Sequence, residues 1–385
     1  MQGIRVLHVI GGGEFGGAER HILTLFKSVN PQDALIEAAC FFTAPFASLA
    51  REAGMRVTVL PMYSKLDLGV ARRLKEILTG YDIVHTHGVR ANLLGRLAAR
   101  GTGLPVCTTV HSFLSLDYPH PVTRIVNTLS ERLTRRFTTR FIAVSDVLAA
   151  DLEKKGVPRD KISVVYNGIC LDVDQGKPDR GLRARLGLPE GIPLIATVGR
   201  LHRVKGHRYF VAAAAEVLKQ YPQARFLIIG SGPERPELER QIKTLGLEGR
   251  VMLTGFVKEV MHYYPEFTAL ILPSLAEGFG LVVLEAFLHM TPVVATRVGG
   301  LIEVVRDGET GFLVPPADAG ALAEAVCRVI ADPVAAKEMA ARGRDFVKRE
   351  FSAARMAAET VAVYRDLLGS SPRGPEACSS ASMKM

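Results

Sequence analysis

Apolar residues in this chain gather in short runs of about five to seven, separated by longer stretches in which they recur every three to four positions. The short runs predict buried strands and the longer stretches amphipathic helices. Strand-like runs at residues 4–10, 34–42, 57–60, 83–85, 106–110 and 141–144 are separated mostly by helical patterns, as in successive β-α units. The loop NGICLDVDQGKPDRG interrupts this, and alternation restarts with runs at 194–198, 226–229, 251–253, 269–272, 293–295 and 312–314. The predicted fold class is α/β, with two doubly wound parallel sheets. The boundary is expected near residues 174–178, where Gly, Pro and charge replace apolar periodicity. An N-terminal domain over 1–174 and a C-terminal domain over 175–352 follow. Ligands of open parallel sheets bind outside the carboxyl ends of strands, so functional residues are expected just after strands, in a cleft between the domains. The small, polar segment 370–385 reads as a disordered tail.

The 385 residues, 48% of them hydrophobic, suffice for two cores. No apolar segment approaches the roughly 20 residues of a membrane-spanning helix. The opening MQGIRVLHVI lacks the basic region and cleavage site of a signal peptide and reads as a first strand. The five cysteines are widely spaced and form no C-x-x-C pair, which argues against a disulfide framework or structural zinc and suits a reducing cytoplasm.

The net charge of +9 clusters: residues 65–140 hold twelve Lys or Arg against five Asp or Glu. Such a face favours anionic partners. Within it, residues 123–140 read as one helix with Ile125, Val126, Leu129, Leu133 and Phe137 on one side and Arg132, Arg136 and Arg140 on another. The expected arrangement is a core-facing apolar side and a solvated basic side. Peripheral docking on an anionic membrane surface, at the inner face of the plasma membrane, is the alternative. Nucleic acid is not an expected partner, since the patch lacks interleaved aromatics and no recognition module is present.

The stretch GGGEFGGAER follows the first strand-like run, and Gly11 to Gly16 satisfy G-x-G-x-x-G. That fingerprint would make the chain an NAD-dependent dehydrogenase, but it needs an acid at the end of the second strand, roughly 20 residues on. Glu37 lies inside ALIEAACFF instead, so the acid is misplaced.

A stronger constellation is LPSLAEGFGLVVLEAF, in which a strand ends, a loop carries Glu277, and a helix begins that carries Glu285 eight positions later. The two carboxylates can reach different hydroxyls of one elongated ligand. Between them the amides of Gly280, Leu281 and Val282 open the helix and suit a phosphate. In VGRLHRVKGH, after the first strand of the second half, Arg200 offers a planar fork and Lys205 a point charge, a pairing matched to a diphosphate. The turn IIGSGPE places Gly232 where a nucleotide could come close.

Taken in order, GGAE at Gly16 to Glu19, YNG at Tyr166 to Gly168, VGRLHRVKG, GSGPE and the Glu277/Glu285 pair resemble retaining glycosyltransferase family 4, which has the GT-B fold; the resemblance covers residues 4–365. It implies that Arg200 and Lys205 hold the donor diphosphate, that Glu277 contacts the transferred sugar, and that the amides near Gly280, Leu281 and Val282 also meet the donor. Glu285 would bind the ribose, Gly232 would lie at the donor, and the backbone at Phe256 and Val257 would border the base. Gly16 and Gly17 would approach the diphosphate or sugar, and His111, just after VCTTV, would stand at the reacting centre. The helical segment 353–369 would cross back to the N-terminal domain. Retention is part of the same implication, with same-face attack preferred because Glu277 grips the sugar.

Positive charge at Arg200 and Lys205 would stabilise the leaving diphosphate, so no metal or other cofactor is expected. A D-x-D pair, Asp172 and Asp174, falls in the linker and reads as solvated. His85 and His87, at a strand end without a Cys or carboxylate partner, do not read as zinc ligands and are assigned to the acceptor side of the cleft. The expected partners are a nucleoside diphosphate sugar and a glycan or glycolipid acceptor, in surface polysaccharide, lipopolysaccharide or glycolipid synthesis. A nucleotide-sugar epimerase on a similar two-domain fold is the alternative, and a non-catalytic sugar-binding module would need neither the diphosphate cations nor both carboxylates.

Overall fold

The computed structural model describes residues 3–64, 67–114, 121–171, 181–189, 191–257 and 260–369. The linker carrying Asp172 and Asp174, the expected boundary and the tail lie outside the described residues. The first half builds a sheet from β1 (Ile4–Ile10), β2 (Ala34–Cys40), β3 (Val57–Val59), β4 (Ile83–His87), β5 (Val106–Val110), β6 (Arg140–Ala143) and β7 (Ile162–Val164), in the order β3-β2-β1-β4-β5-β6-β7. The second half builds one from β8 (Leu194–Val198), β9 (Arg225–Ile229), β10 (Val251–Gly255), β11 (Ala269–Leu272), β12 (Val293–Thr296) and β13 (Phe312–Val314), in the order β10-β9-β8-β11-β12-β13. Every strand pairing among the described residues is parallel. Both faces of such sheets are covered by helices, which is why the strands are near-continuous apolar runs.

Strand order reverses between β1 and β4 in the first sheet and between β8 and β11 in the second. The crevice at such a reversal is where open α/β sheets bind ligands. Four loops therefore meet at the two crevices: Gly11 to Gly16 after β1, Gly88 after β4, Gly199 to Gly206 after β8, and Pro273 to Gly280 after β11.

The helix Ala353–Gly369 returns to the first sheet, where Met356, Ala357, Val361, Tyr364 and Leu367 share a buried cluster with Val6, Ile10, Ile83 and Cys107. The chain crosses between the halves at two adjacent places. Ile169 N donates to Phe351 O, and Ala353 N donates to Ile169 O, each at 2.9 Å. Gly168 is required there, because a Cβ would overlap the Ser352 carbonyl.

The helix of the basic region runs over Pro121–Thr134, with a short 3-10 turn at Arg135–Phe137, and Arg140 begins β6. The expected core-facing apolar side is a misreading. Val122, Ile125, Val126, Leu129 and Leu133 are all more than half exposed. The inward side is polar instead: Glu131 pairs at 2.7 Å with Arg96, which is fully buried, and Thr134 and Thr138 accept further bonds from the same guanidinium. A buried arginine must be paired and hydrogen-bonded, and satisfying Arg96 turns the helix over. Arg140 is spent on Asp366 and the Asp160 carbonyl rather than on the basic face.

Candidate active site

The glycine loop after β1 is shaped by packing at its start and by capping at its end. Gly12 has φ +78°, and a Cβ on Gly13 would press on the Phe42 ring. Gly16 caps the helix Gly17–Ser28, its amide donating to Glu19 Oε2 at 2.9 Å, the glutamate half of a capping box. A Cβ at Gly17 would meet only Leu281 of the second half, at 4.0 Å. The pattern that suggests a dinucleotide is thus divided between a turn and a helix cap.

On the opposite side, Lys205 Nζ lies 2.6 Å from Glu277 Oε2, and Ser274 Oγ donates to the same oxygen at 3.3 Å. The loop of Glu277 is fixed by backbone: Gly300 N donates to the Glu277 carbonyl at 3.0 Å, and side chains at Gly299 or Gly300 would overlap the carbonyls of Glu277 and Gly278. This Gly299-Gly300 turn after β12 is a supporting element that the sequence reading missed; its signal was a paired glycine after a strand. Gly280, at φ +101°, starts the helix Leu281–Leu288. The first amides of that helix have no partner within it.

Several contacts join the two halves across this region. Arg200 Nη1 lies 2.9 Å from Glu14 Oε2 in the glycine loop. Arg20, on the helix Gly17–Ser28, forms an ion pair with Glu285, whose other oxygen accepts from Tyr264 Oη at 2.8 Å. Glu285 is only 2% exposed. Gly278 faces His111, whose carbonyl a Cβ there would overlap. Glu303 accepts from the amides of Asp146 and Val147, at 2.9 and 3.0 Å, at the start of the helix Asp146–Lys154.

Gly17, His111, Arg200, Leu281 and Glu285 therefore face the opposite half, while Gly16, Lys205, Glu277, Gly280 and Val282 stand beside them on the same loops and helix starts. Gly232 stands nearby for a packing reason, since a Cβ would overlap the Leu201 backbone. Phe256 is 63% exposed just beyond β10, with Val257 half-buried beside it.

The histidines need a correction. His85 does not line the cleft: it is fully buried, with one ring nitrogen on Thr109 Oγ1 and the other on Tyr364 Oη, each at 2.7 Å. His87 is buried as well, between His8 at 2.9 Å and His111 at 3.0 Å. His21 adds a bond to Asn167 Oδ1 at 2.8 Å, which gives the YNG sequence a structural role. Burial holds all five rings below the usual histidine range, His8 down to about 3 and His21 to about 4.

The family described as Glycosyltransferase Family 4 matches residues 15–173, and the one described as Glycosyl transferases group 1 matches residues 192–332. A 2-deoxystreptamine glucosyltransferase of Streptomyces kanamyceticus is 34% identical over 301 residues, covering 74% of this chain and 77% of the relative. A D-inositol 3-phosphate glycosyltransferase of Thermobifida fusca is 32% identical over 371 residues, covering 86% and 85%. Among solved structures, Anabaena HepE in complex with UDP-glucose superposes with a TM-score of 0.84 at 24% identity, covering 94% of this chain and 99% of that one. The chain belongs to the glycosyl transferases group 1 family, with a glycosyltransferase family 4 domain as its N-terminal half, and is a glycosyltransferase of GT-B fold.

Proposed function

We propose that the protein transfers a sugar, with retention of anomeric configuration and without a metal, from a nucleoside diphosphate sugar to a lipid-linked, lipopolysaccharide or polysaccharide acceptor. The observation that carries this reading is the convergence of Lys205, Glu277 and the helix start at Gly280 on the loop of His111. Solved structures of HepE hold UDP or UDP-glucose, which supports a donor of that class here. Breaking the sugar–phosphate bond builds negative charge on the leaving diphosphate. Lys205 and Arg200, with the amides of Leu281 and Val282, offer fixed positive potential where that charge forms. Glu277, held by Lys205 and Ser274, would accept from sugar hydroxyls rather than attack carbon. In the same-face route the acceptor oxygen bonds to the anomeric carbon as the diphosphate leaves, and the acceptor proton passes to the departing phosphate oxygen. Glu285 would take the ribose, exchanging or sharing its present bond to Arg20.

The membrane part of the reading rests on the helix Pro121–Thr134. Its outward row of Val122, Ile125, Val126, Leu129 and Leu133 is flanked by Arg124, Arg132 and Arg136, the composition of an interfacial helix on anionic lipid. No helix among the described residues is long and apolar enough to cross a membrane. A thermal-shift screen of nucleoside diphosphates and their sugars tests the donor, since native-state binding raises Tm. A shift with one nucleoside diphosphate sugar, lost in Glu285→Ala and retained in EDTA, is the expected result. No shift with any of them would remove the reading.

A further inference from the structure

Four histidine rings of the first domain, His8, His85, His87 and the half-buried His111, are linked with Thr109 and Tyr364 in one unbroken line. Thr109 Oγ1 meets His85 Nε2 at 2.7 Å, and His85 Nδ1 meets Tyr364 Oη at 2.7 Å. Tyr364 Oη meets His8 Nε2 at 3.1 Å, His8 Nδ1 meets His87 Nε2 at 2.9 Å, and His87 Nδ1 meets His111 Nε2 at 3.0 Å. Strand geometry builds it. His85 and His87 are two apart on β4 and share a face, His8 is paired to His85 in register on β1, and Thr109 is paired to His87 on β5. Tyr364 arrives from the returning C-terminal helix.

The direction of the line follows from counting protons. Each buried ring is neutral and carries one N–H, so it donates on one side and accepts on the other. The Thr109 hydroxyl is 1% exposed and has His85 as its hydrogen-bond partner, so its proton is used only if it donates to His85 Nε2. His85 then donates from Nδ1 to Tyr364, whose hydroxyl donates to His8 Nε2. His8 donates from Nδ1 to His87, and His87 from Nδ1 to His111 Nε2. The proton of His111 is left on Nδ1, an atom that is buried and has no hydrogen-bond partner among the described residues.

We infer that Thr109, His85, Tyr364, His8 and His87 are positioning residues that hold His111 as the Nδ1–H tautomer, a hydrogen-bond donor awaiting an oxygen of the bound sugar. Its role in transfer rests on the function proposed above; the tautomer does not. A metal on His8, His85 and His87, whose nitrogens lie within 4.8 Å of one another, competes with this assignment because it would take lone pairs that the line uses.

Long-range proton–nitrogen correlation spectra of the full chain, with histidine rings labelled and His111 assigned by loss of its signals in His111→Gln, decide the matter. Expected are a protonated Nδ1 and a bare Nε2 on His111 in the wild type and in Thr109→Ser, and mixed tautomers in Thr109→Val and Tyr364→Phe. If Tyr364→Phe does not fold, the threonine pair carries the test. An Nε2–H tautomer in the wild type, an unchanged signal in Thr109→Val, or stoichiometric metal in the purified protein would each overturn the line. For the sugar nucleotide that raises Tm most, kcat should fall about tenfold in Thr109→Val at unchanged KM; an unchanged kcat alongside a mixed tautomer overturns the role in transfer. The spectra need no donor, so a failed donor screen and a wrong tautomer are separate results.

Discussion

Lys205 Nζ and Glu277 Oε2 are 2.6 Å apart, an ion pair formed within the C-terminal half between the loops after β8 and β11. Both side chains are largely shielded from solvent, so the pair is screened less than a surface one. Removing the cation should act on the leaving group more than on folding. Lys205→Met is expected to lower kcat by about 10² or more, the scale of losing one preorganised electrostatic group, with Tm changed by only a few degrees. Steady-state kinetics with the donor found by thermal shift checks it, and a kcat within threefold of wild type would remove Lys205 from the transition state.

Arg20 and Glu285 link helices from opposite halves, and Tyr264 completes the carboxylate's partners. Losing Arg20 leaves a nearly buried carboxylate with one neutral donor, while Arg20 itself is a third exposed and keeps some solvation. Arg20→Ala should therefore loosen the approach of the two halves, with a stability loss of about 1–3 kcal/mol, below the range for a fully buried pair. Small-angle scattering should show a larger radius of gyration, and donor KM should rise. An unchanged radius with unchanged KM would mean that the pair does not hold the halves together.

Much of this architecture is written in local patterns. Among the described residues, all but one of the thirteen strands show as apolar runs, because parallel strands covered on both faces need continuous apolar residues. β7 escaped because Ser163 interrupts its apolar run and Ile162–Val164 merges with the YNG loop. The placement of Lys205, Glu277 and Gly280 in loops just after strands was legible because those strands were. What the sequence hid is orientation and distance along the chain. Alternation shows that His85 and His87 share a face but not that the face is buried by a helix more than 250 residues later. Periodicity shows that Ile125, Leu129 and Leu133 lie together but not that buried Arg96 claims the other side.

The exposed apolar row of the helix Pro121–Thr134 makes a sharp distinction possible between folding and docking. Ile125 and Leu129 are 64% and 53% exposed, so polar substitutions there should change stability by no more than about 0.5 kcal/mol. In the membrane each contributes apolar burial of about 1.5–3 kcal/mol at most. The double variant Ile125→Ser, Leu129→Ser should keep the wild-type Tm and lose sedimentation with vesicles containing anionic phospholipid. Equal sedimentation of variant and wild type would refute docking by this face.

The four buried histidines and half-buried His111 also give the protein an acid limit. Their folded-state values lie below the ordinary 6.5, with His8 near 3 and His21 near 4, chiefly because burial penalises the charged ring. The unfolded chain takes up these protons as pH drops through about 6.5, while the folded chain does not. The stability they confer is thus complete above about 6.5 and drains away toward the folded-state values. Each ring contributes a slope of up to about 1.4 kcal/mol per pH unit within that window. Tm should fall steeply between pH 6.5 and 5, and His8→Gln, which takes one titrating ring out of the set, should show a shallower fall over that interval. A wild-type Tm at pH 5 equal to that at pH 7.5 would show that these rings are not held neutral.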